Sequence, residues 1–103
     1  MEYLGNDFSL KMVPDDEASL VSITPLEKEE WEPMLERARC GEVESVIWNG
    51  DLARKLGVPC NRKNISLNRG DILYVAHIID GRMPVYATKL SDGTKIQFFS
   101  VWR

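Results

Sequence analysis

Residues 72–79 of this 103-residue sequence read ILYVAHII, a nearly continuous apolar run that only His77 interrupts. A run of this length, rich in β-branched side chains, predicts a strand. Its lack of alternation predicts burial on both faces, in the middle of a sheet. It is too short for a membrane-spanning helix, which takes about 20 residues. We therefore expect this strand at the centre of the fold.

Shorter apolar segments bounded by turn residues predict the rest of the sheet. Strands are expected at residues 3–4, 20–23, 65–67 and 95–102. Residues 45–48 are a further short apolar segment, and residues 85–88 are a short strand or the start of a helix. The acidic residues 15–17 read as a solvated loop.

Capping signals predict two helices. Thr24 can cap a helix whose first position is Pro25, and Glu27 completes a capping box. This helix should extend to Arg39, with Pro33 kinking or splitting it. A second, brief helix is expected over residues 52–56, after a turn at residues 49–51 that includes a potential cap.

These elements predict one α+β domain over residues 1–103, with a mixed or mostly antiparallel sheet of about five strands and two helices.

The formal net charge of −3 argues against a protein that coats long DNA or RNA. That total is unevenly distributed, because residues 1–51 sum to −9 and residues 52–103 sum to +6. Much of the acidic excess belongs to the first helix, which we expect to be a solvated surface. A small polyanion held in a positive cleft therefore remains compatible with the composition.

Several classes of site and location are not expected. Two cysteines, Cys40 and Cys60, make no disulfide framework and indicate reduced thiols in a cytoplasmic protein. One histidine and no paired cysteine motif indicate no metal site, and we expect no cofactor. The first five residues lack the basic and apolar regions of a secretion signal.

Residues that could bind a ligand lie near the ends of the predicted strands. Arg62 precedes a strand and Arg82 follows the central one, positions from which arginines can clamp phosphates. Asn6 and Ser9 follow the first strand and could supply neutral hydrogen bonds. His77 is either a partly buried strand residue or a donor or base facing a cleft.

Four segments resemble, in order along the chain, the small viral proteins that include the type III anti-CRISPR ring nucleases. Residues 45–53 (SVIWNGDLA) fall where that family has a Ser-x-Ile-Gly-His-type motif. Residues 3–12 (YLGNDFSLKM) resemble its opening, residues 61–62 with 70–76 (GDILYVA) its central hairpin, and residues 95–99 (KIQFF) its last strand.

The resemblance implies a homodimer that binds a cyclic oligoadenylate, typically cyclic tetra-adenylate, in a cleft across its two-fold axis, inside the host cell. By position, Asn6, Ser9 and Arg62 match the family's ligand-contacting residues. Arg82 matches an arginine after the central strand, and His77 falls where the family often has glutamine.

The chain departs from the family at two catalytic positions. Asn49 stands where the resemblance places the histidine that protonates the leaving oxygen, and an amide cannot act as a general acid. The family's glutamate after the Arg82 position is also absent. Asn49 therefore remains a candidate ligand contact, and the pattern favours binding without efficient turnover.

Three functions remain open from the sequence. The first is a dimer that sequesters a cyclic nucleotide-type defence signal and so counters host antiviral signalling. The second is a ring nuclease with a rearranged site, in which His77 or Asn49 would be catalytic. The third is a protein-interaction role, centred on the acidic helix over residues 26–39 and the three tryptophans.

Overall fold

The computed structural model describes residues 1–14 and 21–103. The predicted loop at residues 15–17 and the first residue of the predicted second strand, Leu20, lie outside that range. The described residues form six strands, two α-helices and one 3₁₀ helix. In chain order these are β1 (Glu2–Gly5), the 3₁₀ helix (Leu10–Met12), β2 (Ser22–Pro25), α1 (Lys28–Arg39), β3 (Glu44–Ser45), α2 (Gly50–Leu56), β4 (Ile72–Ile78), β5 (Thr88–Lys89) and β6 (Lys95–Trp102).

The strands form one mixed sheet in the order β2-β6-β4-β1-β3, with β5 also paired to β6. The antiparallel pair β4–β6 is its longest pairing and extends from Ile72 opposite Trp102 to Ile78 opposite Ile96. On its other side β4 pairs in parallel with β1, which pairs in parallel with β3. The predicted α+β class and the central place of β4 are therefore confirmed.

The sheet has two differently covered faces. We call the face under α1 and α2 the helical face. Its buried side chains from the strands are Leu4, Ala76, Ile96 and Phe98, and those from the helices include Met34, Leu35, Leu52 and Leu56. The opposite face, which we call the open face, buries Leu67, Leu73, Val75 and Val101 beneath partly buried residues such as Phe8, Met12 and Ile65.

The first helix begins later than the sequence predicted. Thr24 and Pro25 belong to β2, where they pair with Ser100 and Phe99. The chain leaves the sheet at Leu26, whose N–H donates to the Phe98 carbonyl at 2.8 Å. Glu27 is therefore the N-cap, and it forms a reciprocal capping box with Glu30. Pairing with β6 took precedence over the local helix signal.

Two other features differ from the sequence predictions. Pro33 does not split α1, which continues through it to Arg39; its missing N–H removes one backbone hydrogen bond, while Met34, Leu35 and Ala38 stay buried in the core. Residues 65–67 form no strand; instead the Leu67 N–H donates to the Met12 carbonyl at 2.7 Å. The segment thus covers the open face as irregular chain.

Candidate binding cavity

A cavity of about 500 Å³ opens on the open face, where β1 and β3 end. Because β1 and β3 are parallel, their carboxyl ends meet at the same edge of the sheet. The segment after β1 brings Asn6 and Ser9 to the cavity, and the segment after β3 brings Trp48. Leu73 of β4 also lines it, and Lys63 comes from the irregular chain after α2.

Asn6 joins the ends of the two strands. Its Oδ1 accepts a hydrogen bond from the Trp48 backbone N–H at 2.9 Å. Because the carbonyl oxygen of the side chain is used in this way, the amide NH₂ is the group left to donate to a ligand.

Ser9 is fixed in a similar manner. It has an extended backbone and caps the 3₁₀ helix, with its Oγ accepting from the Lys11 N–H at 3.3 Å. Its hydroxyl hydrogen therefore remains the group that can donate. Both polar side chains after β1 thus accept hydrogen bonds from the protein and still have a donor group available for a ligand.

Two lysines, Lys11 and Lys63, supply the positive charge of the cavity wall. Lys63 Nζ lies 2.7 Å from Glu44 Oε1, and this hydrogen bond, with the negative charge of Glu44, raises the pKa of Lys63. Asp7 also lines the cavity. The wall therefore holds two ammonium groups and one carboxylate, with Lys63 shared with Glu44.

Trp48 forms the aromatic part of the wall and is 48% exposed. Its indole Nε1–H donates to the Lys63 carbonyl at 3.2 Å. The ring is therefore held between the end of β3 and the segment after α2.

Of the six sequence-predicted ligand residues, Asn6 and Ser9 line this cavity. Asn49 instead caps α2, where its Oδ1 accepts from the Asp51 and Leu52 N–H groups at 3.1 Å each. Arg62, His77 and Arg82 are exposed and lie outside the cavity walls formed by the described residues. His77 pairs with Gln97 near the end of β4, and Arg82 lies in the loop beyond it.

Among the lining residues that sequence reasoning missed are both lysines and the tryptophan, Lys11, Lys63 and Trp48. A signal existed for each of them. Lys11 is two positions from Ser9, Lys63 directly follows Arg62, and Trp48 directly precedes the Asn-Gly turn. What the sequence did not reveal is that three segments converge at the ends of two short parallel strands.

Beyond this cavity, the features of the described residues that also bear on function are a second concavity, the grouping of metal-ligating side chains, the cysteines and the length of the helices. A second concavity of about 540 Å³ lies along α1 beside Trp31, bordered by Glu29, Glu32 and Arg39. Within residues 1–14 and 21–103, no three His, Cys, Asp or Glu side chains are grouped so as to hold a metal ion. Cys40 and Cys60 are free thiols. The helices in the described part of the chain are too short or too polar to cross a membrane.

Comparison with solved structures finds a similar protein, B116 of Sulfolobus turreted icosahedral virus (STIV). The two superpose with a TM-score of 0.75 over 98% of this chain and 97% of that chain, at 22% sequence identity. Likeness at this identity shows a shared fold: the chain is built like a small viral protein. No family model matches the sequence, and no curated protein matches it.

Proposed function

We propose that this protein binds and sequesters a cyclic nucleotide-type defence signal, in a cleft across a homodimer, and thereby counters host antiviral signalling. The donor set of the cavity carries the proposal. Asn6, Ser9, Lys11 and Lys63 line it and carry N–H or O–H donors, of which the Lys63 ammonium is shared with Glu44. Phosphate oxygens accept hydrogen bonds and carry negative charge, so they are the matching ligand groups.

The size of the cavity supports a nucleotide over a bare phosphate ion. Its volume of about 500 Å³ lies inside the range of about 300–1,000 Å³ usual for organic ligands. A ring of several nucleotides needs more room and more donors than one cavity provides. A second copy related by a two-fold axis would double both, in the symmetry that such a ring itself has.

Leu10 supports the same arrangement. It lies between the cavity residues Ser9 and Lys11 and is 76% exposed. A second copy seated over the cavity would cover this side chain. The viral fold and the family resemblance of the sequence supply the biological context of the proposal.

Sequestration rather than cleavage follows from the two candidate catalytic residues. The Asn49 oxygen is committed to the N-terminus of α2, and an amide is no general acid. His77 stands on β4 outside the cavity wall. We therefore expect a bound ligand to be released unchanged.

Isothermal titration with cyclic tetra-adenylate, smaller cyclic dinucleotides and cyclic ADP-ribose isomers tests the proposal, followed by chromatography of the recovered ligand. We expect one ligand of this panel to bind, at one molecule per two chains, and to return intact. Lys11→Glu should weaken its binding at least tenfold, because it reverses a charge in the cavity.

Lys89→Glu is the matched control, since Lys89 is exposed on β5 away from the cavity. Absence of binding to the whole panel would refute the proposal. If linear products were recovered, the protein would cleave its ligand rather than sequester it. If the two charge reversals weakened binding equally, the ligand would not bind in this cavity.

A further inference from the structure

Trp48 differs from the other two tryptophans because it lines the cavity that holds the donor set. Trp31 stacks on Phe98 with ring centroids 4.7 Å apart and so contributes to the core. Trp102 is also about half exposed, but it stands at the far end of β6, where it pairs with Ile72. Trp48 alone of the three lines the cavity that holds the donor set.

Both N–H groups of Trp48 are already used within the protein. The backbone N–H donates to Asn6 Oδ1 at 2.9 Å, and the indole N–H donates to the Lys63 carbonyl at 3.2 Å. The part of the side chain that remains exposed is therefore ring carbon. A surface of this kind binds flat apolar groups and offers no hydrogen bond to a phosphate.

The same two bonds also hold the ring in place. One bond holds the backbone of Trp48 to the end of β1, and the other holds the indole N–H to the segment after α2, so both the base and the far edge of the side chain are anchored. A ring that is ordered before binding loses little conformational entropy when a ligand stacks on it. Stacking on a fixed aromatic side chain is a general way to hold nucleobases.

We infer that Trp48 is a stacking platform that makes the cavity select ligands carrying a nucleobase over sugar phosphates that lack one. The inference rests on the proposed function and adds a specificity-determining residue to it. The donor set holds the phosphate, and the indole distinguishes what is attached to it.

The inference is tested by titrating cyclic tetra-adenylate, adenosine monophosphate and ribose 5-phosphate into the wild type and three variants. The wild type should bind adenosine monophosphate about tenfold or more tightly than ribose 5-phosphate, with quenching of tryptophan fluorescence. Trp48→Leu should abolish that preference while leaving ribose 5-phosphate binding within about twofold. Trp48→Phe should retain most of it, because a flat ring remains.

Trp102→Leu is the matched control, since it removes an equally exposed indole outside the cavity. Preference for the base in Trp48→Leu equal to that of the wild type would overturn the inference. Equal wild-type affinity for adenosine monophosphate and ribose 5-phosphate would overturn it too, while the phosphate site stands. The latter comparison needs no variant and so does not depend on a variant's folding. If the wild type binds none of the three probes and none of the wider cyclic panel, the proposed function fails and the inference fails with it.

Discussion

Phe98 and Phe99 are neighbours on β6, and their side chains point to opposite faces of the sheet. Phe98 is 1% exposed and stacks on Trp31 beneath α1, whereas Phe99 is partly buried on the open face. Regular helices close the helical face. The 3₁₀ helix and irregular chain that cover the open face leave a cavity at one end.

The difference between the two faces separates stabilisation of the fold from ligand binding. A helix satisfies its own backbone polar groups, so its apolar side can be packed fully against the sheet. Irregular chain must find other partners for its polar groups. Around the cavity it does so with Asn6 and Ser9, which keeps donors close to open space. Stability should thus depend mainly on the helical face, and binding on the open face.

Replacing the two phenylalanines in turn tests this division most strongly. Phe98→Ala should lower the free energy of unfolding by about 3–5 kcal/mol, because it leaves a void in the buried cluster beneath the helices. Phe99→Ala should cost clearly less, since its side chain starts partly exposed. Chemical denaturation of both variants measures the difference. An equal or larger loss for Phe99→Ala would break the comparison.

Substitutions of Asn49 give an effect of intermediate size. Asn49→Ala should lower the free energy of unfolding by about 1 kcal/mol, because α2 loses its side-chain cap. Asn49→Asp should preserve stability, since a carboxylate also caps a helix and favours its N-terminus. Thermal or urea melts check both values.

The same aspartate variant sharpens the assignment of Asn49 to the helix rather than to the ligand. If Asn49 only caps α2, Asn49→Asp should bind a cyclic nucleotide as the wild type does. A carboxylate placed against a phosphate would instead repel it. If the Asn49→Asp protein folded but bound the cyclic nucleotide much more weakly, Asn49 would be a ligand contact.

The smallest expected effect concerns pH and the start of β1. A hydrogen bond from Arg37 lowers the pKa of Glu2 from its ordinary value of 4.5; partial burial opposes this shift, and the Tyr74 hydroxyl, 2.9 Å away, adds to it. A depressed folded-state pKa stabilises the protein above the unfolded pKa, and this contribution is lost as the pH falls through the folded value. Glu2→Gln should therefore destabilise the protein at pH 7, by an amount that shrinks as the pH falls below 4.5.

The difference at pH 7 should stay below about 1 kcal/mol, because Arg37 is 39% exposed and water screens the pair. Denaturation series at several pH values follow it. Glu42→Gln is the control, because Glu42 also contacts Arg37 but is largely exposed. A Glu2→Gln difference that grows as the pH falls would contradict the sign of this linkage.

Elements with strong local patterns could be predicted from the sequence. The nearly continuous apolar run identified β4 as a central strand, the apolar segment at residues 95–102 identified β6, and the brief helix predicted over residues 52–56 matches α2 to its last residue. The start of α1 could not be predicted, because Thr24 and Pro25 carry a good helix signal that strand pairing overrides. The two-residue strands β3 and β5 overlap the short segments predicted at residues 45–48 and 85–88 by one residue each, because pairing with neighbouring strands sets their bounds.

The cavity could be predicted only in part, for a related reason. Asn6 directly follows β1 and Ser9 lies four residues after its end, so a residue-by-residue resemblance could locate them. Lys63 reaches the cavity because irregular chain passes over the ends of β1 and β3, a path that no local pattern encodes. The structure thus adds lysines where the sequence suggested arginines at strand ends, and it places Arg62 and Arg82 on the surface outside the cavity wall.

The parallel pairing of β1 has a consequence for how the protein folds. Glu2 lies opposite Ile72, and Asn6 bonds a residue 42 positions away, so these contacts close long loops. Such contacts form slowly, because chain entropy is lost before they contribute any stability. The β4–β6 pair is closer in sequence and should form earlier, with β1 inserting afterwards. The cavity would then be among the last features to form, so a ligand should slow unfolding far more than it speeds folding.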